Sequence, residues 1–196
     1  MGRPDEMQVT RAEPTRLTYD DYVSFPDDGR RHELVDGEHI VRPSPLARHQ
    51  RISSRLHLAL GGHVQAARAG EVFYSPFDVI FSDYDVVEPD LLFVSRERQG
   101  IVRDWVRGAP DLVIEVVSPS TRRVDETTKR DLYDRFGVVE YWVVDPDADL
   151  VQVYRRAGDG GFPRVAELTA AGDGVLETPL LPGFSLSLCE LFARTA

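Results

Sequence analysis

A single lysine stands out among the basic residues of this 196-residue chain. Of its 23 Lys and Arg residues, 22 are arginine, and the exception is Lys129. A compact ammonium can handle a proton or a water in ways that a planar, permanently charged guanidinium cannot. Upstream of Lys129 lie Glu115 and, after a proline, Asp90. Lys129 taken alone is better explained as a surface lysine that persists by chance. Asp, Glu and Lys in this order, however, indicate a metal-dependent site that cleaves phosphodiesters.

Glu115 lies within the most apolar run of the chain, between Ile114 and Val116. Burying a carboxylate costs free energy unless it is paired or bound to a metal. We therefore expect Glu115 to be a metal ligand or a catalytic group, and to be unpaired in the metal-free protein. The alternative is a structural ion pair with a buried arginine.

Two Pro-Asp pairs, Pro89-Asp90 and Pro110-Asp111, could each supply a second carboxylate. Asp111 precedes Glu115 by four residues on one predicted strand, which separates the two by ~13 Å at ~3.3 Å per residue. Hard cations bind oxygens at ~2.0–2.6 Å, so Asp111 and Glu115 cannot share an ion. Asp90, on a neighbouring strand, is the predicted partner of Glu115, and Asp111 is expected to shape the start of its strand.

A helix is predicted to follow the Glu115 strand, over residues 125–136. Asp125, Lys129 and Tyr133 are spaced by four and therefore share one face of this helix. Lys129 is predicted to lean over the end of the Glu115 strand. Tyr133 could support a phosphate or order a water, or it could be an amphipathic packing residue.

The elements that must position these residues form one mixed sheet with helices on its faces, an α/β or α+β fold. Asp36-Gly37 between two strand-like runs predicts a hairpin, and apolar residues every fourth position predict a long helix over 45–68. Apolar runs at 111–117 and 139–144 flank the 125–136 helix and predict a crossover unit. We expect a disordered polar tail over residues 1–14 and a single domain over 15–196.

Composition narrows the class of protein. The net charge of −10 argues against a general coat for nucleic acid, which needs cations, but it permits a nuclease with a local basic surface. The single Cys189 excludes an internal disulfide and suits a reducing cytoplasm. No apolar run approaches the ~20 residues of a membrane span, so we expect a cytoplasmic protein.

Six segments of the sequence together resemble the Uma2 family, over roughly Leu17 to Phe192. They are HELVDGE, LARHQRI, EPDLLFV, PDLVIEVVSPST, KRDLY and GVVEYWVVDP. The resemblance implies the restriction-endonuclease-like fold of the PD-(D/E)xK nucleases, with a mixed central sheet flanked by helices. In that superfamily an Asp and an acidic residue hold the metal, and a lysine lies two residues after the acid.

Carried onto this chain, the resemblance matches Asp90 to the Asp and Glu115 to the acid. The lysine position is occupied by Val117, and Lys129 matches a lysine displaced onto the next helix. Glu33 matches an additional acidic residue that could also hold the metal, although a solvated hairpin carboxylate is an equal alternative. His49 matches a helix histidine of the family, for which a packing or capping role is the alternative.

Together these observations predict a Mg²⁺- or Mn²⁺-dependent endonuclease that acts on DNA. Cleavage of both strands of a duplex needs two sites, so we also expect a homodimer. The main alternative is a non-catalytic protein that keeps the fold as a nucleic-acid-binding or assembly module. A third possibility is hydrolysis of another class of phosphodiester.

Overall fold

The computed structural model describes residues 16–194, so the tail predicted over residues 1–14 lies outside the described part. Its α-helices are α1 (Tyr19–Tyr22), α2 (Ala47–Ala67), α3 (Arg130–Phe136) and α4 (Leu188–Phe192). Its strands are β1 (Arg31–Val35), β2 (Glu38–Arg42), β3 (Gly70–Tyr74), β4 (Val79–Ser82), β5 (Asp85–Val87), β6 (Leu91–Ser95), β7 (Val106–Arg107), β8 (Leu112–Val116), β9 (Glu140–Asp145), β10 (Leu150–Arg155), β11 (Arg164–Thr169), β12 (Val175–Leu176) and β13 (Leu186–Ser187).

A six-stranded sheet in the order β11-β10-β9-β8-β6-β3 forms the centre of the molecule. Strands β8 and β9 are parallel and are joined through α3, which confirms the predicted crossover unit, and the other pairs are antiparallel. All five residues of β8 are buried, as expected for a strand covered on both faces. Together with the helices on its faces, this mixed sheet confirms the predicted fold class.

Helix α2 covers one face of this sheet. Its four fully buried residues recur every fourth position, as predicted: Ile52, Leu56, Leu60 and Val64. They pack against inward side chains of the central strands and against α4, which closes the same layer. The helix ends at Arg68, whose φ of 53° places it in the left-handed region.

A second sheet of five strands, β2-β1-β5-β4-β7, packs with α3 over the opposite face of the central sheet. The β1–β2 hairpin turns at Asp36-Gly37, where φ is 54° and 77°. Positive φ at both central residues matches the two-residue turn that suits the twist of paired strands. The predicted hairpin is therefore confirmed, and it holds Glu33 on β1 against the central sheet.

The helix predicted over residues 125–136 is not α-helical throughout. Val124–Lys129 form a π-helical segment, and only Arg130–Phe136 are α-helical. Gly137, at φ 83°, ends the helix with a left-handed cap, as the sequence predicts. Short π-helical segments widen one turn of a helix and recur at functional sites.

Within residues 16–194, no helix combines the length and apolar character that crossing a bilayer requires.

Candidate active site

Asp90 and Glu115 lie side by side on adjacent strands. In the antiparallel β6–β8 pair, Leu91 is opposite Ile114, and one step further brings Asp90 next to Glu115. Asp90 Oδ2 accepts a hydrogen bond of 2.8 Å from the Val116 amide, which fixes its carboxylate against β8. The predicted choice of Asp90 as the neighbour of Glu115 is confirmed.

Asp111, from the second Pro-Asp pair, has the structural role expected of it. Its carboxylate accepts a hydrogen bond of 2.7 Å from the Ser95 amide and one of 3.1 Å from Arg98. It therefore joins the end of β6 to the start of β8, at the opposite end of β8 from Glu115.

Two nitrogen-bearing side chains, Arg31 and His49, approach the second oxygen of Asp90. Arg31 donates to Asp90 Oδ1 at 2.9 Å, and the Nε2 atom of His49, in the first turn of α2, lies 3.3 Å from the same oxygen. Burial raises the pKa of Asp90, but the hydrogen bond and charge of His49 and the charge of Arg31 outweigh it, so the pKa is lowered. Asp90 is therefore an ionised carboxylate, and His49 contacts it directly.

Lys129 donates to two carboxylates in the interior. Its Nζ lies 2.6 Å from Glu33 Oε1 and 2.7 Å from Glu115 Oε1, and all three side chains have 0% exposure. Tyr133 donates to the same Glu115 oxygen at 2.8 Å. The predicted position of Lys129 over the Glu115 strand is confirmed, and its catalytic role stays a prediction.

Arg42 and Asp125 complete what we call the buried charge cluster, defined as Glu33, Arg42, Glu115, Asp125 and Lys129. Arg42 Nη2 lies 2.9 Å from Asp125 Oδ1 and 3.6 Å from Glu115 Oε2, and Arg42 Nε lies 3.6 Å from Glu33 Oε2. Three carboxylates and two cations leave one net negative charge when all five are ionised.

Glu33 and Glu115 share one ammonium but differ in pKa. Burial raises the pKa of Glu115 to about 7 against the opposing charge of Lys129, because Asp125 and Asp90 also stand near it. Burial raises the pKa of Glu33 as well, but Lys129 and Arg42 outweigh it, and its pKa is lowered. Of these two glutamates, Glu115 is therefore the less favoured site for a negative charge, and burial raises the pKa of Asp125 as well.

The paired state of Glu115 corrects one expectation. We expected this carboxylate to be unpaired in the metal-free protein, and this was wrong, because Lys129 and Arg42 both face it. The solvated alternative for Glu33 is also wrong, since its side chain has 0% exposure. Among residues 16–194, Glu115 Oε2 and Glu33 Oε2 nevertheless have no hydrogen-bond partner.

A cavity of about 640 Å³ opens beside Asp90. Asp90, His49 and Glu88 line it, together with Arg31 and Arg42. Glu115, Lys129 and Tyr133 do not line it and lie behind these residues. The catalytic contact to phosphate or water considered for Tyr133 therefore has no support. His49, by contrast, is half-buried against Asp90 and open to the cavity.

The donor set is compatible with Mg²⁺ or Mn²⁺. Within residues 16–194, no three His, Cys, Asp or Glu side chains are arranged to enclose a metal ion. Mg²⁺ does not require such a cage, because it keeps several waters and is bound by one or two carboxylates with substrate phosphates. Adjacent Asp90 and Glu115, with the unpartnered Glu115 Oε2 and the negative excess, provide such a pair.

Sequence reasoning missed four contributors to the site. Arg31, which contacts Asp90, and Arg42, at the end of β2, gave no signal beyond their opposite positions in the hairpin. Asp125 was placed on the Lys129 face but was given no role. Glu88 directly precedes the Pro89-Asp90 pair, and its carboxylate oxygen Oε2 is buried without a partner among residues 16–194.

Val117, at the lysine position of the superfamily, is buried among apolar side chains of the layer that also contains Tyr133. The site therefore has its ammonium on the helix that follows β8, at Lys129, and has none on the strand itself.

Comparison with known proteins gives a matching sequence profile and a similar fold among solved structures. The crystal structure of "a putative nuclease belonging to DUF820" from Anabaena variabilis ATCC 29413 superposes with a TM-score of 0.76 at 23% identity, over 90% of this chain and 98% of that chain. No curated protein matches the chain. The profile of the Uma2 family, described as "Putative restriction endonuclease", matches residues 19–189. Because that match spans most of the sequence, the chain belongs to the Uma2 family.

Proposed function

We propose that this protein is a metal-dependent endonuclease that hydrolyses phosphodiester bonds of DNA, with Mg²⁺ or Mn²⁺ held by Asp90 and Glu115. The observation that carries the proposal is the placement of these two carboxylates on adjacent strands, with Asp90 lining a polar cavity and Glu115 buried directly behind it. Membership of a family described as "Putative restriction endonuclease" supports the same class of reaction.

Each residue of the site has a distinct part in this proposal. The metal ion, when bound, polarises a phosphoryl oxygen and lowers the pKa of a bound water. The Val116 amide and Arg31 hold the Asp90 carboxylate in one orientation. Lys129 is a positioning residue, because its ammonium fixes Glu115 from the buried side and does not reach the cavity.

His49 is the residue of the site best placed to meet substrate. It lines the cavity and its Nε2 atom lies 3.3 Å from Asp90, so its imidazole ring is beside the position proposed for the phosphate. Imidazoles serve as proton donors and acceptors near neutral pH. We assign it the transfer of a proton to or from water in the cavity.

One observation favours the non-catalytic alternative. Glu33, Glu115 and Lys129 are fully buried and mutually paired, which is also how a structural ion-pair network is arranged. In that case the fold would be retained for binding or assembly, and the cluster would only stabilise it. The alternative predicts no metal-dependent cleavage by the wild-type protein.

Substituting the aspartate of each Pro-Asp pair tests the proposed metal site, with Asp111 as the matched control for Asp90. Wild type, Asp90→Asn and Asp111→Asn are incubated with supercoiled plasmid and with circular single-stranded DNA, in Mn²⁺ or in EDTA. We expect wild type and Asp111→Asn to cut circles only with Mn²⁺, and Asp90→Asn to be slower by ~100-fold or more. The proposed site would be rejected if cutting did not need metal. It would also be rejected if both variants lost the same cleavage activity while remaining as stable as wild type. No cleavage by wild type of either circle would favour the non-catalytic alternative.

A further inference from the structure

An exposed aromatic side chain forms one wall of the cavity beside Asp90. Tyr74, the last residue of β3, is 60% exposed and lines this cavity. The ring of His57, from α2, contacts it in an edge-to-face arrangement, with ring centroids 4.6 Å apart and an angle of 66° between planes. An aromatic side chain that is exposed to this degree and contacts another ring on one side is a candidate stacking surface.

Backbone pairing fixes Tyr74 next to the proposed metal ligand. Tyr74 is opposite Leu91 in the β3–β6 pair, and the following amide, Ser75, donates a 3.1 Å hydrogen bond to the Asp90 carbonyl. The aromatic ring is therefore attached to the backbone that directly neighbours Asp90. A group stacked on Tyr74 would be one strand away from the proposed metal site.

Polar groups without partners line the same cavity. Ser53 Oγ and His57 Nδ1, one turn apart on α2, are buried without a hydrogen-bond partner among residues 16–194, although both residues line the cavity. Buried polar atoms normally have partners, so these two can take a partner from the cavity, either water or a polar ligand. Arg30, with a side chain 67% exposed, lies on the cavity wall and carries a charge suited to phosphate.

Aromatic face, polar edge groups and a guanidinium are the features that recognise a nucleotide. Bases stack on aromatic side chains in single-stranded nucleic acids, with little dependence on sequence. Bases in a duplex are stacked on one another, so they reach such a surface only when unpaired or flipped out. A volume of about 640 Å³ is within the ~300–1,000 Å³ typical of ligand sites.

We propose that the cavity binds an unpaired nucleotide, with its base stacked on Tyr74 and its phosphate directed towards Asp90. The substrate is then a single strand or an unpaired segment of nucleic acid. This inference rests on the proposed function, because it places the scissile phosphate at the proposed metal site. It also agrees with the net charge of −10, which disfavours binding based on duplex phosphates alone.

Binding without catalysis tests this inference. Fluorescence anisotropy in EDTA compares labelled oligo-thymidine, an abasic strand with the same number of phosphates, and a hairpin duplex of matched charge. We expect oligo-thymidine to bind at least ~5-fold more tightly than the abasic strand or the duplex, the lower end of base–aromatic stacking. Tyr74→Ala should remove this preference, and Tyr74→Phe should keep it, because stacking needs the ring and not the hydroxyl.

The control is Tyr84→Ala, which removes a partly exposed tyrosine outside the cavity. It should bind all three ligands as wild type does. Equal affinity for the thymidine and abasic strands, tighter binding to the duplex, or an unchanged preference in Tyr74→Ala would overturn the inference. Because these measurements need no cleavage, metal-dependent cutting of plasmid without base-dependent binding would leave the proposed function standing and reject the subsite. Base-dependent binding without metal-dependent cutting would support the nucleotide subsite and reject the proposed nuclease activity.

Discussion

Replacing Glu115 with glutamine tests whether this residue carries the excess charge of the buried cluster. The substitution keeps an oxygen that can accept hydrogen bonds from Lys129 and Tyr133. It removes one negative charge, so two carboxylates and two cations remain and the cluster becomes neutral. Without metal, we therefore expect the variant to be as stable as wild type or more stable.

The difference in stability between Glu115→Gln and wild type depends on pH because the pKa of Glu115 is raised from 4.5 to about 7. Between these values the folded protein keeps a proton that the unfolded chain has lost, so wild type loses stability as pH rises through this range. At ~1.4 kcal/mol per pH unit, the loss is about 3 kcal/mol. Glutamine does not titrate, so the variant should match wild type near pH ~5 and exceed it by up to ~3 kcal/mol near pH ~8.

Urea unfolding in EDTA at both pH values measures this difference as a shift of midpoint at constant slope. Glu33→Gln is the matched control, because Glu33 shares the same ammonium but its pKa is lowered. It should destabilise the protein at the higher pH, by about 3 kcal/mol or more if the pair behaves as other buried pairs. A comparable loss in Glu115→Gln at the higher pH would refute the charge assignment and make Glu115 a structural ion-pair partner.

Three further predictions concern Lys129, metal binding and the oligomeric state. Lys129→Met should lower the free energy of unfolding in urea by ~3–5 kcal/mol, because two fully buried carboxylates lose their shared ammonium. A decrease under ~1 kcal/mol would contradict this prediction. Calorimetric titration with Mn²⁺ should show binding that Asp90→Ala and Glu115→Ala each abolish, and retained binding in both would remove the metal site. Light scattering at tens of micromolar should give the mass of a homodimer, and a strictly monomeric mass would contradict this prediction.

Much of the backbone is predictable because local signals decide it. The Asp36-Gly37 turn, the apolar repeat of α2 and the glycine cap at Gly137 each act over a few residues, and the structure confirms all three. The neighbouring positions of Asp90 and Glu115 were also predictable, because strand geometry alone excluded Asp111 as the partner of Glu115.

The buried charge cluster was less predictable, because contacts between residues far apart in the sequence form it. Arg42 reaches Asp125 across 83 positions, and nothing near Arg42 in the sequence distinguishes it from the other arginines. The α-helical spacing of Asp125, Lys129 and Tyr133 correctly placed them on one face, but it did not predict the π-helical segment that carries the first two. The state of Glu115 was misjudged for the same reason, since its pairing depends on β2 and α3 together.

The distance along the chain between Lys129 and Glu33 has a consequence for synthesis. These two residues are 96 positions apart, and the contact joins the first hairpin to a helix in the second half of the chain. Contacts of such separation form only after a long loop has closed, which slows folding. During translation from the N-terminus, the hairpin and the Asp90 strand emerge well before Lys129 is added. A nascent chain therefore contains the proposed metal ligand Asp90 without an assembled site, and whatever activity the site has begins only once the second half of the protein has been made.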